Sequence, residues 1–429
     1  MVQYGGDEVA ALVVDIGHSS VRAGYAGDDT PKAIIPTSYG YTYESPGNGQ
    51  DVQMDDSAPP ALKKKFHVGQ SGPSIYRPGM EVGHPLTDGL ITDFEPIQPL
   101  LDHAITKVLG CNPAEHPILV TEPAWNTPED RERMAEIIFE QFNAPAFYIA
   151  NTGVLNAFAA GKGNALVIDV GQNMASVTPV MDGFVLRKGL QYSPLAGTIH
   201  SRAHNLLLSP AQYRPQGIAL FPHQLIKDKL SVEPGQQPIF SLREDRLPGV
   251  TESWRAWYEA REVDEWLQSV GGVLDSGWND QLVQSRPPRQ YEFPTGLNSM
   301  FGAERYFIGE QYFHNQQQQQ VPQTARSLTA LLSDSLRSYD VELRQVLVGN
   351  VVLTGGGSLL PGFADRLNTE LSRTFQHVKI HAPGNPIERR YGGWLGGSIL
   401  GSLGTFHQLW ISKEEWQEHG KAIIAQRCK

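Results

Sequence analysis

Two cysteines in 429 residues, Cys111 and Cys428, are too few for a disulfide framework and offer no paired metal-ligand spacing. That scarcity points to a reducing compartment. Long apolar runs are missing as well. No stretch nears the roughly 18 consecutive apolar residues of a membrane span, and the polar, acidic start from Met1 to Glu8 does not read as a secretory signal. Positive charge is also in short supply: the net charge is −11 and the pI about 5.6. Strong global attraction to DNA or acidic lipid is therefore excluded. Lys63-Lys64-Lys65 is the only basic triplet and reads as a solvated surface turn. What remains is a soluble globular chain, 40% apolar, long enough for two or more domains with their own cores.

The most informative feature is a repeat. Ala11-Leu12-Val13-Val14-Asp15-Ile16-Gly17 returns 154 residues later as Ala165-Leu166-Val167-Ile168-Asp169-Val170-Gly171. Each copy is an apolar run suited to a buried strand, ending at Asp-x-Gly. The glycine lets the backbone turn tightly and bring N–H groups close to a ligand, and the aspartate places a carboxylate where a hydrated divalent cation can sit. A further apolar run, Val351 to Thr354, ends in Gly355-Gly356-Gly357-Ser358. One Asp-x-Gly alone marks an ordinary hairpin turn. Two matching turns with a third glycine cluster describe a nucleotide phosphate held between two related halves.

Elsewhere the pattern alternates strands and helices, as an α/β architecture requires. Ile118–Thr121 reads as a strand. Thr127 is a helix N-cap followed by Pro128, with Met134, Ile137, Ile138 and Phe142 as a core face. Segment 41–65, with Pro46, Gly47, Pro59 and Pro60, is loop-like. Glu252–Leu267 is an amphipathic helix whose Trp254, Trp257, Tyr258 and Trp266 read as core aromatics. Asn315–Gln323 holds five consecutive glutamines and reads as a polar surface loop. Leu328–Leu347 reads as one helix, and Pro361 starts another whose N-terminus would suit a nucleotide. Small residues between Trp394 and Leu403 allow close packing of two elements.

Asp15 through Arg22 to Asp29 resembles the first phosphate loop of the actins, Leu353 through Gly357 to Gly362 their adenosine loop, and Gly396 through Trp410 to Lys413 their C-terminal helices. Within that superfamily, Tyr4–Val9, Thr121–Asn126 and Thr405–Trp410 are similar to the nuclear actin-related protein 4, or actin-like protein 6, family. The resemblance implies an actin-like ATPase fold of two related halves, four subdomains in all, around a nucleotide cleft. The first half is 1–160 plus 384–429, with 38–84 as its small subdomain. The second is 161–383, with about 210–321 as its small subdomain. It further implies a nuclear, non-polymerising subunit of chromatin remodelling and histone acetyltransferase complexes that pairs with monomeric actin on a long scaffold helix. Histones are a candidate contact for the acidic surface; direct DNA binding and membrane association are not expected.

Residue by residue, the resemblance implies ATP held by Asp15, Gly17, His18, Ser19, Ser20 and Arg22 of the first loop, and by Asp169, Gly171, Gln172 and Asn173 of the second. Lys227 and Asp228 would flank the nucleoside, and Gly355, Gly356, Gly357, Leu359 and Arg390 would surround sugar and base. Asp15 and Asp169 are the candidate ligands for Mg2+ or Ca2+, although Gln172 removes one carboxylate of the family's set. Arg22 stands for a phosphate-contacting lysine and changes point charge to planar fork. A scaffold helix would lie on Phe158, Leu400, Leu403 and Leu409.

The departures bear on turnover. Thr152 and Ser176 occupy the places of the actin glutamine and histidine that position the attacking water. A positioned acid–base group typically contributes about 10²–10⁴-fold, so hydrolysis is expected to be negligible and the chain not to act as an enzyme. The alternatives are a slow working ATPase of the actin, sugar kinase and chaperone superfamily, and a filament-forming actin. The latter is disfavoured by Asp51, Asp55, Asp56, Pro59 and Pro60 where actin carries an apolar filament contact.

Overall fold

A computed structural model describes residues 10–44, 63–209, 217–314 and 325–428. The expectations placed on Tyr4–Val9, on 45–62 with its Asp and Pro residues, and on Asn315–Gln323 lie outside the described residues.

The sequence repeat is a structural repeat. Leu12–Ile16 pairs antiparallel with Ser20–Tyr25 and parallel with Ile118–Glu122, and Ala165–Val170 pairs antiparallel with Ala175–Met181 and parallel with Val351–Thr354. One sheet runs Ile411–Ser412, Ala146–Asn151, Ile118–Glu122, Leu12–Ile16, Ser20–Tyr25, Ala33–Pro36. The other runs Phe184–Val185, Ala175–Met181, Ala165–Val170, Val351–Thr354, Ile380–His381, with Gln191–Ser193 also on Ala175–Met181. Leu12, Val13, Val14 and Leu166, Val167, Ile168 are all buried, as central strands covered on both faces must be. Each sheet has its own core. Ile105, Ile138 and Phe147 pack on the first; Ile199, Trp266, Phe313 and Leu331 pack on the second.

Helix Thr152–Ala159 begins at Asn151, whose side chain caps Gly153 N at 2.9 Å, and packs against helix Gly392–Ser402. At the crossing a Cβ on Gly396 would stand 1.9 Å from the Leu155 carbonyl oxygen, so only glycine permits the approach. This is the close packing that the small residues of 394–403 foretold. The helix from Pro128 is capped by Thr127 as expected, and its core face is buried, but it widens into a π turn over Ile137–Gln141.

Three expectations fail. The loop-like reading of 41–65 fails at both ends, where Tyr39–Glu44 and Lys63–His67 are strands. Leu328–Leu347 is two helices, Leu328–Arg337 and Val341–Val348, because Asp340 accepts from Leu343 N at 2.8 Å and starts a new one. Lys63-Lys64-Lys65 is not a turn. It opens strand Lys63–His67, in a three-stranded sheet with Tyr39–Glu44 and Glu81–Gly83, where Lys64 and Lys65 reach Glu95 and Glu44 at 2.7 Å each. Facing this small sheet are hairpin Ile226–Leu230/Ile239–Leu242 and the long helix Glu252–Val270. Among the described residues no helix is long and apolar enough to cross a membrane.

Candidate functional site

Between the two sheets lies a cleft of about 810 Å³. Its walls include both Asp-x-Gly turns and the triple glycine, so the three turns expected to act together do meet. Gly355 explains one closure. Its φ is +89°, and a Cβ there would stand 2.3 Å from Asp169 Oδ1, so the third turn lies directly on the second aspartate.

The two aspartates end up in different company. Asp15 faces Arg22 across its hairpin and forms an ion pair with it, while its other oxygen accepts from the Thr121 hydroxyl at 2.6 Å. Arg22 also donates to Ser20 Oγ at 3.0 Å and lies over the Tyr391 ring at 5.0 Å. Asp169 faces Ser176 instead. Burial and the nearby Asp15 carboxylate push its carboxyl up to about 6, against the pull of Arg22.

Three histidines line the same space. His18 lies against His84 with ring centroids 3.9 Å apart and the rings tilted by 33°, and His84 Nε2 lies 2.8 Å from the His18 carbonyl oxygen. Burial, then His84 and His200, bring His18 down to about 3, so it is neutral at physiological pH. Its Nδ1 is buried with no hydrogen-bond partner among the described residues. His200 differs: burial opposes its charge, but Asp264 at 3.1 Å outweighs burial and holds its pKa above the usual value. Gln172 donates to the other oxygen of Asp264. Glu122, salt-bridged to Arg131 at 3.0 Å, is raised by burial despite that partner.

Of the sequence-derived residues, Asp15, Gly17, His18, Ser19, Ser20, Arg22, Asp169, Gly171, Gln172, Asn173, Gly355, Gly356, Gly357 and Arg390 line the cleft, as do Thr152 and Ser176. Lys227 and Asp228 do not. They are exposed on strand Ile226–Leu230, where Asp228 accepts from Ser241 at 3.3 Å. Leu359 is displaced by one residue, Leu360 being the wall. The helix after Pro361, Phe363–Ser372, is not a nucleotide cap either: a Cβ on Gly362 would stand 2.1 Å from the Val273 carbonyl, and Pro361 accepts from Val273 N at 2.8 Å.

The wall assigned to Lys227 and Asp228 is supplied by helix Glu252–Val270, through Trp257, Arg261, Asp264, Glu265 and Gln268. The signal was available in the sequence. Positions 257, 261, 264 and 268 share one helical face, opposite the buried Val263, Trp266 and Val270. Reading the whole aromatic stripe as core hid that Trp257 belongs to the other face, where Arg261 covers its ring at 4.8 Å.

A nucleotide fits these walls in size and character: glycine turns at one end, and Leu360, Arg390, Tyr391 and the helix face at the other. A protein-held metal does not. Among the described residues no group of three or more His, Cys, Asp or Glu is placed to hold an ion, and both oxygens of Asp15 already have partners.

The actin family model matches residues 6–429 of the chain. The chain is 41% identical to an actin-related protein 4 of Yarrowia lipolytica, across 99% of this chain and 97% of that protein. Identity to an actin-related protein 4 of Mycosarcoma maydis is 36%, covering 99% of each. To that of Oryza sativa subsp. indica it is 35%, over 99% of this chain and all of the relative (100%).

Proposed function

The chain belongs to the actin family, in its actin-related protein 4 branch, and from that premise we propose that it is an ATP-clamped structural subunit rather than a working ATPase. The observation that carries this reading is the pair Thr152 and Ser176 at the phosphate end of the cleft. Both side chains are short hydroxyls that are poor bases, so neither can take a proton from an attacking water near pH 7. Arg22, pledged to Asp15, adds a fixed charge where the family has a mobile lysine.

The N–H groups of Gly17–Ser20 and Gly171–Asn173, with the hydroxyls of Ser19 and Ser20, would hold the phosphates, and Gly355–Gly357, Leu360, Arg390 and Tyr391 the sugar and base. ATP supplies the phosphate charge and adenine surface that join the two walls. The residues themselves orient it and offer no base. A ligand bound to the folded state alone stabilises it by about 2.7 kcal/mol at 100 times its dissociation constant, so the retained nucleotide fixes the angle between the halves and the surface shown to partners.

That surface is the face near Phe158, Leu400, Leu403 and Leu409. Leu403 and Leu409 are 46% and 44% exposed, and Leu400 and Phe158 are half-buried. Exposed leucines of this kind suit the apolar side of a scaffold helix. With the family resemblance, this supports a nuclear subunit of chromatin remodelling and histone acetyltransferase complexes that sits beside monomeric actin on such a helix.

The test is the identity of the nucleotide in the purified chain, released by denaturation after a day at room temperature and separated by chromatography. ATP is expected. ADP would restore the working-ATPase reading, and an empty cleft would remove the clamp altogether.

A further inference from the structure

Across the mouth of the cleft the two small lobes are joined by a core of their own. Met80, Leu225, Trp254 and Tyr258 pack together at 1%, 3%, 1% and 7% exposure, apart from the cores of the two large sheets. Met80 comes from the first half; the other three come from the second. Tyr76 closes the cluster edge-on against Trp254 at 5.5 Å.

Hydrogen bonds surround this core, each crossing from one lobe to the other. Trp254 Nε1 donates to the Pro73 carbonyl at 2.9 Å and the Tyr258 hydroxyl to that of Ser74 at 2.5 Å. The Tyr76 hydroxyl donates to the Arg246 carbonyl at 2.7 Å, and Tyr76 N to Gln224 Oε1 at 2.7 Å. The backbones touch as well. Gly79 N donates to the Gly249 carbonyl at 2.9 Å, and a Cβ on Gly249 would stand 2.4 Å from the Tyr76 hydroxyl. Val82 N donates to Ser253 Oγ at 2.9 Å, and both residues line the cleft. The joint is thus the roof of the cavity.

Every one of these contacts is made by protein on protein, without a group inside the cleft. Opening the mouth would bring Trp254 and Tyr258, with their large apolar faces, into water. We propose that this joint is a built-in clasp that keeps the cleft shut with or without nucleotide, so that release waits for the clasp to open rather than for the nucleotide's own contacts to break. The proposal rests on the reading that the cleft holds ATP, and it assigns the control of exchange at that site to Tyr76, Trp254 and Tyr258.

The experiment uses the full chain loaded with the fluorescent analogue 1,N6-etheno-ATP and chased with excess ATP. In the Tyr76→Phe/Tyr258→Phe double variant, two crossing hydroxyls are lost and the apolar bodies stay. We expect release about tenfold faster with an unchanged circular dichroism spectrum. Release at the wild-type rate overturns the clasp. Trp254→Ala should release faster still, but the conservative pair carries the decision because it leaves the apolar core of the joint in place. A second readout needs no nucleotide. Amide exchange at Gly79 and Val82 should be slow in the stripped wild type and fast in the double variant, and fast exchange in the stripped wild type would equally overturn the proposal. If the wild type takes up neither etheno-ATP nor ATP, the nucleotide reading falls, while the amides still decide whether the joint is closed.

Discussion

The two halves carry the same turn and treat it oppositely. Asp15 and Asp169 end matching strands, and each faces the residue seven positions further along its hairpin. In the first half that residue is Arg22, and with Thr121 it occupies both oxygens of Asp15. In the second half it is Ser176, and the corresponding threonine, Thr354, donates to the Arg389 carbonyl at 2.8 Å instead. Asp169 therefore carries its charge against burial and against Asp15. A shared backbone does not fix the electrostatics of a turn; one cross-strand residue does. The first turn is locked as an ion pair, while the second remains a titratable carboxyl among the glycine turns of the cleft.

The comparison is broken most strongly by giving the second turn a base. Thr152→Gln with Ser176→His would put a water-orienting amide and an imidazole beside Asp169. Phosphate release per chain is expected to rise by about 10²-fold or more, measured as inorganic phosphate over time at saturating ATP. An unchanged rate would mean that the two hydroxyls are not what silences the site.

Unlocking the first turn should cost stability rather than add activity. Arg22→Ala leaves Asp15 largely buried beside Asp169 without its cation. Removing one partner of such a pair typically costs about 3 kcal/mol or more. Urea unfolding of the stripped chain should show that loss, and Arg22→Lys should recover part of it by keeping the charge without the fork. A variant as stable as wild type would show that the halves are less different than their geometry suggests.

The fold was legible in the sequence because apolar runs and their end residues repeat. Asp15, Asp169 and the triple glycine each end a buried strand, and strand ends are where chemistry-bearing turns must lie. The far wall was not legible in the same way. Ile226–Leu230 resembles the family's nucleoside-flanking run, yet alternating Lys and Asp in an exposed hairpin satisfy a motif without facing the cleft. The true wall, Trp257 to Gln268, has a polar face of period 3.6 like that of any exposed helix. Only the packing of Trp254 and Tyr258 onto the opposite lobe turns that face into the cleft. Likewise, nothing in the order Arg22, Ser176 announced which aspartate would be paired, because the hairpin register decides it.

The smallest expected effect is the most direct measure of the difference between the turns. A carboxyl raised from 3.8 to about 6 in the folded chain keeps a proton there that the unfolded chain has already lost. Stability therefore falls as pH rises through that window; the contribution is intact below about pH 4 and gone above about pH 6. Two units correspond to roughly 3 kcal/mol, and the opening of Asp169 onto the cleft reduces this to about 2. Asp169→Asn has no proton to lose at that position. The stability of stripped wild type relative to this variant should decline by about 2 kcal/mol between pH 4 and pH 7, read from paired urea curves at each pH. A constant gap would mean that Asp169 is screened as well as Asp15 is paired, and the asymmetry between the halves would then be one of contacts without consequence for charge.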